Sequence, residues 1–360
     1  MSVPKFDVVV YGGSGFTGSL VVQYLAQHPQ QPRMAIAGRN RSKLEGVLNK
    51  LTGIDKQRVQ SIEILEASTS DPASIKRMAA STKVVVNMVG PYAHLGGFEV
   101  AKAAAEAAAG YVDLTGESAF YARVVEQLQA QAQKTKAIIM PSVGFDSLPF
   151  DLGAYLAVQE VKKAAGPETP IGDVITGFNV KGTVSGGTIA SVAGMRDVPE
   201  QLQFTRSYWF SPVEGKAQKE NAQAHFLPQF KRWGAYSLLS PHNTRVIQRT
   251  WGIFDQAIGA AGYGGSFQYY EGMVSANVIV AWIVTYLMLA LSFLVCHFEM
   301  FGKWITNRIP QGTGGSMEEQ LKGWADIRSL ASSQDGKTKG LSVIQVKGCL
   351  LYTSPSPRDK

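Results

Sequence analysis

An α/β fold, opening with a doubly wound parallel sheet, is what this 360-residue sequence predicts. Three observations carry it. The first is Val8-Val9-Val10-Tyr11-Gly12-Gly13-Ser14-Gly15-Phe16-Thr17-Gly18, a β-branched run that stops at glycines and passes into an amphipathic stretch, Leu20 to Ala26. That is strand, tight turn, helix. The second is the alternation of short apolar runs with helical stretches as far as residue 150. Such alternation argues for right-handed crossovers and a parallel sheet, with ligands at the carboxyl ends of its strands. The third is a change of texture after Asp151, which predicts a second, α+β domain and one long apolar helix.

Gly13, Gly15 and Gly18 fit G-x-G-x-x-G between a strand and a helix, the context that gives the pattern meaning. The first glycine is expected to make the turn, the second to let backbone approach a pyrophosphate, the third to pack helix on strand. The helix start adds free N–H groups and about half a positive charge. Gly13, Ser14, Gly15, Phe16, Thr17 and Gly18 are therefore the expected phosphate-binding residues of a Rossmann domain. The next strand, Met34 to Ala37, runs into Gly38-Arg39-Asn40-Arg41. NAD sites usually place a carboxylate there for the ribose 2′-OH. Here a guanidinium stands instead, and its planar fork suits a 2′-phosphate. The cofactor expected is NADP(H), held by Arg39 and Asn40. The competing reading makes Arg39 and Arg41 solvated charges that open the next helix.

The remaining elements follow in order. A helix is expected from Ser42, as N-cap, to Leu51, and a strand from Val59 to Leu65. Ser70-Asp71-Pro72 is a helix start, with a capping side chain before proline. Lys83 to Val89 reads as a buried strand ending in Gly90-Pro91-Tyr92, and Ala101 to Ala109 as an alanine-rich helix. Tyr111 to Leu114 is a strand ending in Thr115-Gly116-Glu117, Phe120 to Ala132 a helix, Ala137 to Met140 a strand. Beyond it, Asp151 to Lys162 reads as a helix and Thr169 to Val184 as strands. Ser185-Gly186-Gly187-Thr188 is a turn that opens a helix at Ile189. The stretch with Tyr208, Trp209, Phe210, Trp233, Tyr236, Trp251 and Tyr269 reads as irregular and aromatic, a density more typical of core than of site. The domains expected are 1–150 for the dinucleotide, 151–270 for substrate and cover, 271–305 for an apolar segment, and 306–348 for a return to the second domain.

The net charge of +7 is spread along the chain, without a basic tract interleaved with aromatics, so a nucleic-acid partner is not expected. Two cysteines, Cys296 and Cys349, give neither a disulfide framework nor metal spacing, which fits a reducing, cytosolic context. The start of the chain does not read as a signal peptide.

Six motifs in sequence now support a resemblance: Gly13 to Gly18, Ala37-Gly38-Arg39-Asn40, Val89-Gly90-Pro91-Tyr92, Tyr111 to Glu117, Gly144-Phe145-Asp146-Ser147-Leu148-Pro149, and Ser185 to Thr188. The chain resembles the saccharopine dehydrogenase-like oxidoreductases, the group that includes the mycobacterial trans-acting enoyl reductases, as far as about residue 347. The resemblance implies an NADP-binding Rossmann domain and reduction of a lipid-linked substrate. It also implies, from eukaryotic members, association with lipid droplets and membranes and involvement in glycolipid synthesis. It puts the phosphates on Gly13 to Gly18, the 2′-phosphate on Arg39 and the nicotinamide loop on Val89, Gly90 and Pro91. It does not make saccharopine the substrate. From Cys349 to Lys360 the sequence leaves the family pattern and reads as a non-native tail, with the natural protein expected to continue.

Ala276 to Phe298 is apolar throughout, with no Asp, Glu, Lys or Arg between Glu271 and Glu299. As a helix, about 20 such residues span about 30 Å, the thickness of a hydrocarbon core. Lys303 and Arg308 favour the cytosolic side, where the NADP domain must also lie. A hairpin or an in-plane helix in a lipid monolayer satisfies both flanks, and a helix buried in the second domain or an oligomer interface is the alternative.

Hydride transfer often needs a proton donor within hydrogen-bond reach. Tyr92, Asp113, Glu117 and Asp146 lie at or beside strand ends and are the candidates, each equally readable as a structural group. The reading is a reductase on the cytosolic face of membranes or lipid droplets, with a lipid-like small molecule as substrate, a lipid surface as partner and a homodimer admitted. The alternative is a lipid-surface protein that binds NADP without turnover.

Overall fold

The computed structural model describes residues 3–182, 186, 189, 191, 206–216, 218, 222–308, 310 and 313–347. The strands β1 (Phe6–Tyr11), β2 (Met34–Gly38), β3 (Glu63–Glu66), β4 (Thr82–Asn87), β5 (Gly110–Asp113) and β6 (Ile139–Met140) form one parallel sheet. Its order is β3-β2-β1-β4-β5-β6, which reverses between β1 and β4. Ligands bind at such a reversal, outside the carboxyl ends of the strands. Both faces of the sheet are covered. Val8 and Val10 join one core with Val22, Met34, Ile36 and Leu44, while Val9 and Tyr11 join another with Ala35, Val85, Ala101 and Phe120. Burial on both faces is why β1 is a continuous apolar run rather than an alternating one.

The helices of this half are α1 (Phe16–Gln27), α2 (Arg41–Leu48), α3 (Lys56–Gln60), α4 (Pro72–Ala80), α5 (Gly97–Glu106) and α6 (Ser118–Thr135). Asp71 caps α4 as the sequence predicts, its side chain accepting from Ala73 N. Three expectations are corrected. Asn40, not Ser42, caps α2, with its Oδ1 accepting from Lys43 N. The stretch from Val59 begins inside a helix, because Asp55 Oδ1 accepts from Gln57 N at 2.7 Å and Arg58 N at 3.2 Å. The strand starts only at Glu63. And β4 ends at Asn87, which releases Met88 and Val89 into the loop at the sheet reversal.

After α7 (Leu148–Ala165) comes a second sheet. It contains β7 (Ile171–Lys181), β8 (His225–Leu227), β9 (Arg232–Ala235), β10 (Gln268–Val274), β11 (Trp324–Ser333) and β12 (Lys339–Lys347), in the order β12-β11-β7-β10-β9-β8. β7 is one long strand where the sequence suggested several; it runs parallel to β10 and antiparallel to β11. α7 lies on this sheet, with Ser342 Oγ donating to Gly153 O at 2.6 Å. The region that read as irregular contains α8 (Ser240–Ile258), a 19-residue helix. Its residues 241–248 are all buried, His242, Asn243, Thr244, Arg245 and Gln248 included, so polar side chains are buried beside its apolar stripe of Ile247, Trp251 and Phe254.

The apolar segment forms α9 (Val278–His297), capped by Asn277, followed by α10 (Glu299–Arg308) and a short α11 (Met317–Leu321). One face of α9 is fixed to the protein: Ala281 and Thr285 are buried, and Thr285 Oγ1 accepts from Tyr236 N at 3.0 Å. Most of the rest is open, with Ile279, Ile283, Tyr286, Leu287 and Phe293 all more than half exposed. α9 is not a core helix of this chain. Gly186, Ile189 and Ser191 are helical. The rest of the predicted 185–188 turn and the tail 349–360 lie outside the described residues.

Candidate functional site

β1 delivers the chain to the sheet reversal, and Gly12 turns it there with φ +83°. A Cβ at Gly12 would come within 2.6 Å of Val89 Cγ2. The residue that makes the left-handed turn is thus Gly12, not Gly13 as the motif spacing suggested. Gly18 is required by packing, since a Cβ there would sit 2.2 Å from Gly12 O. Gly15 is different. It is the N-cap of α1 in extended conformation, φ −75°, and a Cβ there would meet only Gly12 O at an ordinary 3.4 Å. The protein itself has room for a side chain at Gly15. Gly15 thus presents bare backbone at a helix start with no acidic residue in its first turn. That is the cradle a pyrophosphate needs. Ser14 is exposed beside it, Phe16 and Thr17 are half-buried, and Gly314 presses on the Phe16 ring, where a Cβ would come within 2.1 Å.

At the end of β2 the two arginines separate. Arg41 pairs with Glu45 at 3.1 Å and Glu66 at 3.7 Å. Arg39 is exposed and has no ion pair among the described residues. Arg41 is the solvated helix-opening charge, and Arg39 stands apart from it at the end of β2. Asn40 stands between them as the cap of α2.

On the other side of the reversal, Val89, Gly90 and Pro91 leave β4 through a cis Gly90–Pro91 bond. Val89 N donates to Asn87 Oδ1 at 3.0 Å. Glu117, from the loop after β5, accepts from Tyr92 N at 2.9 Å and Ala93 N at 2.8 Å. The Tyr92 hydroxyl donates to Asn87 O at 3.0 Å, and burial raises its pKa well above that of a free phenol. Asp113 is fully buried and accepts from Thr115 N, Ser142 N and the Tyr111 hydroxyl. Burial pushes its carboxyl up to about 6. Of the four candidate proton donors, three are thus engaged inside the protein, and Asp146 alone is exposed, on the loop after β6.

A residue with no sequence signal closes this side. His242, near the start of α8, is buried between Ser118 Oγ at Nδ1 (3.0 Å) and Ser142 Oγ at Nε2 (2.9 Å). Ser142 Oγ donates to Thr115 O at 2.7 Å, so it accepts from His242 Nε2–H, and Nδ1 accepts from Ser118. Burial and Arg245 nearby hold the imidazole down to about 3. It is a neutral bolt between the loops after β5 and β6 and the second half of the chain. A separate buried acid, Glu271 on β10, accepts from Asn243 Nδ2 at 3.0 Å and the Tyr269 hydroxyl at 3.1 Å. Burial raises it to about 7. Only the pair of glycines at 12 and 13 hinted at what the sequence reading missed; nothing local marks His242, Ser142 or Glu271.

The saccharopine dehydrogenase NADP binding domain matches residues 8–140. A Mycobacterium tuberculosis protein assigned as a trans-acting enoyl reductase is 34% identical over 297 residues, which cover 78% of this chain and 68% of that protein. The trans-acting enoyl reductase of Mycobacterium bovis is 29% identical over 354 residues, covering 92% and 82%. Among solved structures, apo saccharopine dehydrogenase from Saccharomyces cerevisiae aligns with a TM-score of 0.49 and 12% identity over 95% of this chain and 86% of that one. The chain belongs to the saccharopine dehydrogenase-like family that includes the mycobacterial trans-acting enoyl reductases, and it is an NADP(H)-dependent oxidoreductase.

Proposed function

We propose that the protein reduces a lipid-linked substrate with NADPH at the cytosolic face of a membrane or lipid droplet, with glycolipid synthesis as its setting. NADPH, when bound, supplies the hydride, and the protein supplies position and electrostatics. The start of α1 and Gly15 would take the pyrophosphate, Arg39 the 2′-phosphate, and Val89 to Pro91 the nicotinamide side. The relatives' name, enoyl reductase, suggests a carbon–carbon double bond conjugated to a carbonyl.

The observation that carries the lipid half is α9: a 20-residue apolar helix, most of it exposed, in the same chain as the NADP site. Two features argue how it would meet lipid. Trp304 and Arg308 stack on the next helix, α10, an interfacial kind of pair. And β10, before the segment, and β11, after it, are both hydrogen-bonded to β7. Both ends of the α9–α10 segment are therefore tied to one sheet, which favours insertion from one side over a single crossing.

The test uses the full chain in mild detergent with NADPH and fractionated lipid extracts, following loss of NADPH absorbance. Turnover with a lipid fraction is expected. Tight NADPH binding with no turnover on any fraction would favour the alternative, a lipid-surface protein that binds NADP without reducing anything.

A further inference from the structure

We propose that Glu117 is a positioning residue for the nicotinamide half of the site, and that it ties that half to the second part of the chain through Ser191. The proposal rests on the NADP(H) reading. Glu117 is the N-cap residue of α6, an 18-residue helix, yet its carboxylate makes no cap bond there. It reaches instead to the loop after β4. Oε1 accepts from Tyr92 N at 2.9 Å and Oε2 from Ala93 N at 2.8 Å, so one carboxylate binds two successive backbone N–H groups. Oε1 also accepts from Ser191 Oγ at 3.1 Å, which comes from the segment after β7. The residue is 4% exposed and has no Lys or Arg partner among the described residues. Its charge is balanced by these donors and by the positive end of α6.

Each oxygen accepts from one of two successive loop N–H groups, so the Glu117 side chain is a clamp on that loop. The clamp is itself held. Glu117 N donates to Thr115 Oγ1 at 3.1 Å, and Thr115 O accepts from Ser142, which His242 holds. The loop gripped by this clamp begins at Gly90, on the β4 side of the reversal. The adenosine end of the cofactor lies on β1, β2 and α1, away from it. Loosening the clamp should therefore weaken one end of the ligand only.

This separates positioning from general destabilisation. Glu117→Gln keeps the shape but offers one acceptor oxygen, with an NH2 group facing the other loop N–H. Affinity is measured for NADPH and for adenosine 2′,5′-bisphosphate, which carries the 2′-phosphate but no nicotinamide. Glu117→Gln should weaken NADPH about ten-fold, the order expected for a charge-assisted hydrogen bond, and leave the bisphosphate within about two-fold. Ser191→Ala removes only the link to the second part and should weaken NADPH about three-fold, again sparing the bisphosphate. If Glu117→Gln does not fold, Ser191→Ala decides alone. Equal loss of both ligands, or no loss of NADPH in either variant, overturns the proposal. Wild-type protein that binds neither compound overturns the cofactor reading and the proposal with it.

Discussion

Glycine chemistry sorts the phosphate turn residue by residue. The motif was legible because its glycines sit between a strand and a helix. Which glycine bends the chain was not legible, because spacing alone carries no φ, and Gly12 turned out to hold the positive φ. Gly15 and Gly18 differ in the same way. Gly15→Val should leave the circular dichroism spectrum near wild type and abolish binding of NADPH and NADH alike, because the protein has room there and a pyrophosphate does not. Retained affinity in the folded variant would sink the binding site. Gly18→Ala should instead cost about 1–3 kcal/mol of stability by overpacking against Gly12 O, read as a lower denaturation midpoint. Arg39 is separated from Arg41 by its lack of an acidic partner among the described residues. Arg39→Ala should weaken NADPH roughly 10- to 100-fold and leave NADH nearly unchanged, as expected for a charge-assisted bond worth about 1.5–3 kcal/mol. Equal loss of both nucleotides would mean that Arg39 only shapes the loop.

Elements that bury apolar faces on both sides of a sheet were readable, and elements that bury polar groups were not. α8 is the clearest case, since His242, Asn243, Arg245 and Gln248 are each buried and bonded through contacts that residues distant in sequence supply. Ile247, Trp251, Phe254 and Ile258 do recur at helical spacing, but the first two turns are polar and hide the start of the helix. α3 was misread for a local reason, the Asp55 cap, which outweighs a short β-like run. Burial of polar elements also leaves a pH signature. Glu271 has a folded pKa of about 7 against 4.5 when free, so the folded state holds a proton that the unfolded state releases. Its contribution is favourable at low pH and is lost as pH rises through that window. Glu271→Gln should therefore gain stability relative to wild type, by on the order of 2–3 kcal/mol, between about pH 4 and about pH 8. Urea unfolding at both pH values checks it, and a constant difference would show that Glu271 ionises normally. His242 has the opposite sign: held to about 3 against 6.5, it stays neutral in the fold and loses stability as pH falls below its free value.

At the scale of the whole molecule, exposure of Leu287 at 61% sharpens the lipid test. An arginine in a core would unfold the protein, but at this position it faces outward. Leu287→Arg should stay folded, keep its NADPH affinity and shift from the floating-lipid or membrane fraction to the soluble one, a charge near the centre of an inserted helix costing about 2.5–3.5 kcal/mol. Wild-type protein that is fully soluble without detergent, with α9 protected from protease in the absence of lipid, would refute the lipid contact. The second sheet was the least legible part of the fold, since β7 finds β11 only across the α9–α10 segment, a partnership that no local pattern encodes. That long-range pairing has a consequence in time. Sheets built from distant strands close late, because loop entropy opposes them before any contact forms. During synthesis the parallel half can assemble while β7 and α7 wait for strands not yet made. All six tryptophans, at 209, 233, 251, 282, 304 and 324, lie in the late-closing half. Tryptophan fluorescence is thus a clock for the second half of the chain and its docking, and on refolding it should lag behind far-ultraviolet circular dichroism, which registers both halves.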